Sequence, residues 1–267
     1  MKASAAIGLG IAFAMLALGD IMGGGSPLHL FNLSAALVVL GGTLGATIAS
    51  TSVEQFKLVP GLYKKALMDG PPDYRAELDR IVAFAEKARR EGLLALDAEV
   101  GQIEDPFLRK GMQLVVDGTD PEIVREILEA ELEGMAARHK AGADPFKQAG
   151  GFAPTIGILG TTMHLVLILK SLDSPETLGP MIAAAFIATL YGIGSANVVF
   201  YPVANRLGVL SREEQQLRTM VIEGVMAVQA GENPRLIADR LMTFLPPAAR
   251  GTDDSSSADG PSLAEAA

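Results

Sequence analysis

Two threonines, two prolines and a histidine stand out in a part of the chain that is otherwise apolar. Residues 151–204 hold two stretches rich in glycine and alanine, GGFAPTIGILGTTMHLVLILK and GPMIAAAFIATLYGIGSANVVFYPVANR. Pro154, Thr161 and His164 lie in the first, Thr189 and Pro202 in the second, and neither stretch contains an Asp or a Glu. A threonine hydroxyl in apolar surroundings can orient a water or coordinate a cation, or simply bond back to the carbonyl four residues earlier. Both uses are open for Thr161 and Thr189, and Thr162 can equally face lipid. Each proline removes a backbone donor and frees a carbonyl, which in hydrocarbon must find a partner or a water-lined cavity. A plain kink explains either proline alone. One proline near the same end of each of two consecutive segments points instead to a hinge or an ion entry point. Thr161 follows Pro154 by two helical turns, so both project from similar faces. An ionisable ring such as His164 inside an apolar segment is a functional candidate, although a neutral imidazole bonded across a helix interface is the expected role. Such a wall, with hydroxyls and prolines but no carboxylate, has the makings of half an ion path. A partner must supply the other half.

The elements that would position these residues are membrane spans. About 20 residues at 1.5 Å rise cross the roughly 30 Å hydrocarbon core, and both stretches are long enough. Two further apolar segments precede them, Ala3–Met22 after Lys2, and Leu30–Thr51 after a GGGSP linker. The first has the basic start and small residues of a signal peptide. The immediate return of a second span, with no exported domain between, favours a hairpin. Fourteen of the 22 basic residues lie between Ser52 and Gly150, six follow the fourth span, and only Lys170 lies in a short connection between spans. The positive-inside bias therefore places both termini and the long loop in the cytoplasm, with Lys170 snorkelling to the outer interface. Glycines and alanines within the spans (Gly41, Gly42, Gly45, Gly157, Gly160, Ala183–Ala185) read first as close-packing surfaces.

The long loop reads as a helical domain. Arg75–Arg90 carries Leu78, Ile81, Val82 and Ala85 at the spacing of one buried helix face. Asp105-Pro106 and Asp120-Pro121 each supply an N-cap acceptor followed by proline at the first helical position. Asp117-Gly118 closes the helix between them, and Arg125/Glu129 form an attractive i,i+4 pair beside a repulsive Glu122/Glu126 pair. Asn205–Ala230 continues the fourth span as an amphipathic helix, Gly231–Pro234 breaks it, and a short helix runs from Pro234 to Phe244. The expected organisation is an all-α membrane protein: a transmembrane hairpin over 1–51, a cytoplasmic helical domain over 52–150, and two further spans over 151–204. Cytoplasmic C-terminal helices over 205–247 and a polar, disordered tail over 248–267 complete it.

Composition closes off other classes. The net charge of −9 argues against a nucleic-acid partner. The chain has no cysteine, hence no disulfide framework and no thiolate metal site, and its three histidines lack ligand spacing. No nucleophile–base pair or phosphate-binding glycine loop marks an enzyme. A solute transporter would need a polar constellation at mid-membrane, where only the threonines and His164 are available. No cofactor is called for.

The runs AGGFAPTIGILGTT, LGPMIAAAFIATLYGIGSANVVFYPVANRL and IEGVMAVQAGENPRLI resemble the MotA/PomA family, the membrane-embedded stator subunit of the bacterial flagellar motor. The likeness covers nearly the whole chain. PTIGILGT alone is also similar to the wider group containing ExbB and TolQ, but those relatives have three spans, and the hairpin before the large loop favours the stator subunit. An ExbB/TolQ-like energiser of an envelope partner is the alternative.

The resemblance implies an inner-membrane ring, a homo-pentamer around a dimer of a MotB-like single-span protein whose aspartate binds the ion. Ion flow would turn the ring and push the rotor (switch) protein. By position, Pro154 and Pro202 correspond to the prolines tied to coupling, and Thr161 and Thr189 to the threonines lining the ion path. The rotor contacts fall on Arg89 or Arg90 and on Asp97, with Glu99 beside it. Two departures matter. Family members often carry glycine at His164. Sodium-driven members tend to have a second threonine where this chain has Ala188, and loss of that hard oxygen points to H+ rather than Na+.

Overall fold

The computed structural model describes residues 4–246 and Arg250. Lys2 and nearly all of the expected tail lie outside the described residues. Every regular element among them is a helix, and they contain no strand. The elements in order are Ser4–Met22, Leu33–Ser50, Val53–Met68, Tyr74–Glu91, the short Asp97–Val100, Pro106–Val116, Pro121–Lys170, Pro175–Gln229 and Pro234–Met242. The helices Leu33–Ser50, Pro121–Lys170 and Pro175–Gln229 contain windows long and apolar enough to cross a membrane, and Ala6–Met22 is a shorter apolar helix.

Packing divides the described residues into two units, one up to residue 71 together with 135–213, the other 72–134 together with those from 214 onward. Residues from the expected cytoplasmic loop fall in both. The first unit holds the apolar helices. Ser52 opens Val53–Met68 with a reciprocal cap, its hydroxyl accepting from the Gln55 amide and the Gln55 side chain accepting from the Ser52 amide. Ala66, Ala143, Phe146, Val203 and Leu207 form one of its apolar clusters. A second joins Ala35 and Val39 to Ile187 and Ala188.

The second unit has an ordinary globular core of Ile81, Leu108, Met112, Leu128, Met220, Val225, Ile237 and Leu241, among others. Its helices start and stop where the local chemistry dictates. Asp105 accepts from the amides of Phe107 and Leu108, and Asp120 from that of Glu122. Gly118 and Gly231 end their helices at φ of 72° and 66°, a conformation that side chains resist. The face expected from Leu78, Ile81 and Ala85 is buried, together with Phe84 and Glu77.

The boundary expected at residue 150 is not a structural break. Pro121–Lys170 runs unbroken for 50 residues, about 75 Å at 1.5 Å per residue. Pro145 and Pro154 sit within it, each costing one backbone hydrogen bond without ending the helix. The other long helix accommodates its proline differently. Ser195–Phe200 is wound wide, the Tyr201 amide reaching back to the Ala196 carbonyl, and Pro202 follows at once. A proline ring clashes with the carbonyl four residues before it, and a wide turn carries that carbonyl away. A second wide turn spans Leu37–Gly41.

Candidate functional site

The two apolar stretches singled out in the sequence meet at a close antiparallel crossing built from small residues. A Cβ placed on Gly157 would lie 3.0 Å from the Ala188 carbonyl oxygen, and one on Gly192 would lie 2.5 Å from that of Ala153. A Cβ on Gly160 would come within 3.1 Å of the Ala188 Cβ. Ala153 and Ala188 are fully buried in this seam. Residues at i and i+4 share a face, so Ala153/Gly157 on one helix and Ala188/Gly192 on the other make two matching small-residue ridges.

The crossing brings Thr161 and Thr189 together. Their hydroxyl oxygens are 2.5 Å apart, and Thr161 Oγ1 also lies 2.9 Å from the Ala185 carbonyl and 3.1 Å from that of Gly157. The proton inventory sorts these contacts. Each hydroxyl has one proton to donate, so Thr189 donating to Thr161, and Thr161 donating to a carbonyl, satisfies the group. Both residues are half-buried. The pair is a short polar patch in an apolar wall. In that arrangement it can accept from a water; reversed, with Thr161 donating to Thr189, the Thr189 proton is free for one, and the pair carries no charge of its own. Ala188 beside it offers only a methyl group.

Pro154 stands one residue from Ala153 in the same seam, half-buried, and leaves the Gly150 carbonyl without its helical donor. Pro202 lines an open cleft of about 310 Å³ with Gly8, Leu9, Ala12, Val198 and Arg206. The two prolines thus stand in different surroundings, one in a helix crossing and one beside a cleft. His164 Nδ1 lies 2.8 Å from the Gly160 carbonyl of its own helix, and among the described residues it makes no bond to another helix. Thr162 is exposed and bonds back to Ile158.

Nothing in the sequence marks Tyr191. Its hydroxyl donates to the Leu30 carbonyl at 2.6 Å and accepts from the Asn32 amide at 3.1 Å, pinning the start of Leu33–Ser50 to the helix that carries Thr189. An aromatic in an apolar run gives no sign of a partner about 160 residues away. Asp20, the acid within the first apolar helix, lies in its last turn.

In the second unit, Arg89 and Arg90 project from the last turn of Tyr74–Glu91 and are exposed, as are Asp97 and Glu99 on Asp97–Val100. Gly92, at φ 86°, makes the turn between them. Glu99 is held by Lys87, Nζ to Oε1 2.6 Å. That hydrogen bond is the main reason the Lys87 ammonium titrates above its ordinary range. Arg89, Arg90 and Asp97 have no ion-pair partner among the described residues. Leu94, in the same turn and 78% exposed, is an apolar knob among these charges.

The core of this unit carries one charged cluster. Arg218 bonds Asp105 at 2.6 Å and lies over the Phe107 ring, 5.2 Å from its centroid. Burial alone would raise the Asp105 carboxyl; the Arg218 hydrogen bond and the Leu108 and Phe107 amides outweigh it, and its pKa lies below the usual value. Glu77 goes the other way. Burial raises its pKa against the pull of Arg80, and Asp105 adds to the rise.

Residues 99–220 match the MotA/TolQ/ExbB proton channel family. Motility protein A of Borreliella burgdorferi is 39% identical over 96% of this chain and 98% of its own length. The C. jejuni MotAB structure superposes with a TM-score of 0.90 at 30% identity, covering 95% of this chain and all of that one. The flagellar MotAB stator complex of Bacillus subtilis gives 0.86 at 38% identity, over 91% of this chain and 96% of that chain.

Proposed function

The chain belongs to the motility protein A family, and on that footing we propose that the Thr161–Thr189 pair lines the ion path of a flagellar stator. The protein is a stator subunit of the flagellar motor, an inner-membrane protein that works in an oligomeric complex with a MotB-type partner and converts ion flow into rotation. The observation that carries the ion-path reading is the hydroxyl pair itself, two neutral oxygens 2.5 Å apart at a seam without a carboxylate. Such a wall can hold a water in register with an acid supplied from outside the chain. The partner's single span is where that acid belongs.

In the finer picture four helices cross the membrane, Ser4–Met22 among them, with both termini cytoplasmic. Five copies surround the partner dimer. The transported ion is the proton, because Ala188 supplies no second hydroxyl, and a sodium ion would need several hard oxygens that two threonines do not provide. One charge crossing about 100 mV releases about 2.3 kcal/mol, so rotation draws on a succession of ions. Pro154 and Pro202 couple passage to movement of the ring, and Arg89, Arg90, Asp97 and Glu99 meet the rotor.

Full-length likeness to motility proteins favours the stator over the ExbB/TolQ-like energiser. Swimming in a strain lacking this chain, with filaments counted in the same cells, is the test. Paralysed but present filaments, rescued by returning the chain, are expected. Filaments turning at normal speed in a strain with no other stator would overturn the reading.

A further inference from the structure

Among the described residues three polar side chains are buried, Thr43, Thr47 and Glu77, and two of these lie four residues apart on Leu33–Ser50. They continue the buried stripe of Ala35 and Val39. Thr47 bonds back to the Thr43 carbonyl at 2.7 Å, and Thr51 to that of Thr47 at 2.8 Å. Thr43 does not follow this pattern: it is 0% exposed, and its Oγ1 is fully buried without a partner among the described residues. The wide turn just before it supplies a reason. The Gly42 amide is shared between the Val38 and Val39 carbonyls, and Val39 is the acceptor to which Thr43 would return in a regular helix. A lone hydroxyl is costly in hydrocarbon unless something meets it.

We propose that Thr43 and Thr47 hold an internal water site that carries the ion path from the Thr161–Thr189 pair toward the cytoplasmic face. The ligand is water, and the cargo is the proton relayed along it. The register supports the placement. A Cβ on Gly160 would meet Val38 at 3.4 Å and Val39 at 3.8 Å, and one on Gly42 would meet Ile156 at 3.0 Å. Leu33–Ser50 therefore runs antiparallel to the helix carrying Thr161. Carried one turn further, that pairing sets Thr43 at the level of residue 155 and Thr47 near 151. This is the level of the Gly150 carbonyl that Pro154 leaves without a donor. A buried water needs two to four polar partners, and Thr43 Oγ1, Thr47 Oγ1 and the Gly150 carbonyl are of the right kind. From the level of Thr43, Thr161 lies about 9 Å further along the helix, a gap that two or three waters would span.

The inference rests on the ion-path reading, and the experiment separates the two. The full chain with its MotB-type partner is returned to a motile host lacking its own stators, and torque and complex size are measured for the unsubstituted chain, T43V and T43S. T43V keeps the shape and loses the hydroxyl. The expected result is a complex of normal size with torque reduced at least fivefold in T43V and more than half retained in T43S. Torque in T43V within twofold of the unsubstituted chain would overturn the water site. Equal impairment in T43S, or loss of the complex in T43V, would make the residue structural and overturn it too. An unsubstituted chain that drives no rotation would instead count against the stator reading.

Discussion

The hydroxyl oxygens of Thr161 and Thr189 share a 2.5 Å contact across 28 residues of sequence, and the backbone that brings them there is bare of side chains at Gly157 and Gly192. Chemistry and packing are thus one feature. The polar pair exists because two helices approach almost backbone to backbone, and they can do so only where Cβ atoms are missing or single.

Replacing Thr189 by Val keeps the volume and removes the hydroxyl. Thr161 can still donate to the Ala185 or Gly157 carbonyl, so the complex should assemble. A lost hydrogen bond to a charged species is worth about 1.5–3 kcal/mol, so ion flux should fall roughly 10- to 100-fold. Proton flux into vesicles bearing the complex measures it, and unchanged flux would remove Thr189 from the path.

Gly192→Ala tests the crossing itself. Its methyl would lie 2.5 Å from the Ala153 carbonyl oxygen, and that atom is backbone. The helices must part, at a cost of about 1–3 kcal/mol, and the threonine pair parts with them. Both thermal stability of the purified complex and torque should drop. Gly194→Ala, where a Cβ meets nothing within 4 Å, is the control expected to be silent.

Much of this architecture is legible in the sequence because it is local. Asp105, Asp120, Gly118 and Gly231 announce helix ends through their own backbone chemistry, and apolar windows announce candidate spans by length. The two threonines could be picked out, but their contact could not, since it depends on which faces of two helices meet. Tyr191 was invisible for the same reason. The unbroken helix through residue 150 was hidden by a change from polar to apolar composition that the backbone ignores. His164 misleads because an imidazole on a helix can reach its own carbonyl four residues back as readily as a neighbour.

Tyr191→Phe removes one oxygen and strands two backbone groups, the Leu30 carbonyl and the Asn32 amide. With no water in hydrocarbon to replace the bonds, the loss should be about 1–3 kcal/mol, a lower midpoint in a detergent melt. An unchanged midpoint would mean that solvent already reaches this turn.

The core charges of the second unit make a pH prediction with opposite signs. Asp105 titrates below 3.8, so its contribution is present above that value and is lost as pH falls through the folded pKa. Glu77 titrates above 4.5, so the folded state holds its proton longer and loses stability as pH rises through that raised value. Glu77→Gln should therefore raise the melting point at pH 7, with the gain shrinking toward pH 4.5. Asp105→Asn should lower it at pH 7, and the difference should shrink only as pH falls through the lowered Asp105 value. A Glu77→Gln gain that is the same at both pH values would mean the effect is packing and not charge.

The exposed turn around Gly92 separates two kinds of charge. Glu99 is already held by Lys87, whereas Arg89, Arg90 and Asp97 have no ion-pair partner among the described residues and flank the exposed Leu94 in sequence. A surface pair of this kind is worth about 0–1 kcal/mol, so neither partner is needed for folding. If this turn meets the rotor, reversing Arg90 to Glu should leave complex size and ion flux intact and reduce torque severalfold, and Leu94→Ala should weaken it less. Lys87→Met frees Glu99 and should change torque without lowering stability. A compensating charge reversal on the rotor protein should restore torque to the Arg90→Glu variant. Loss of ion flux in that variant would place the defect in the channel and not at the rotor.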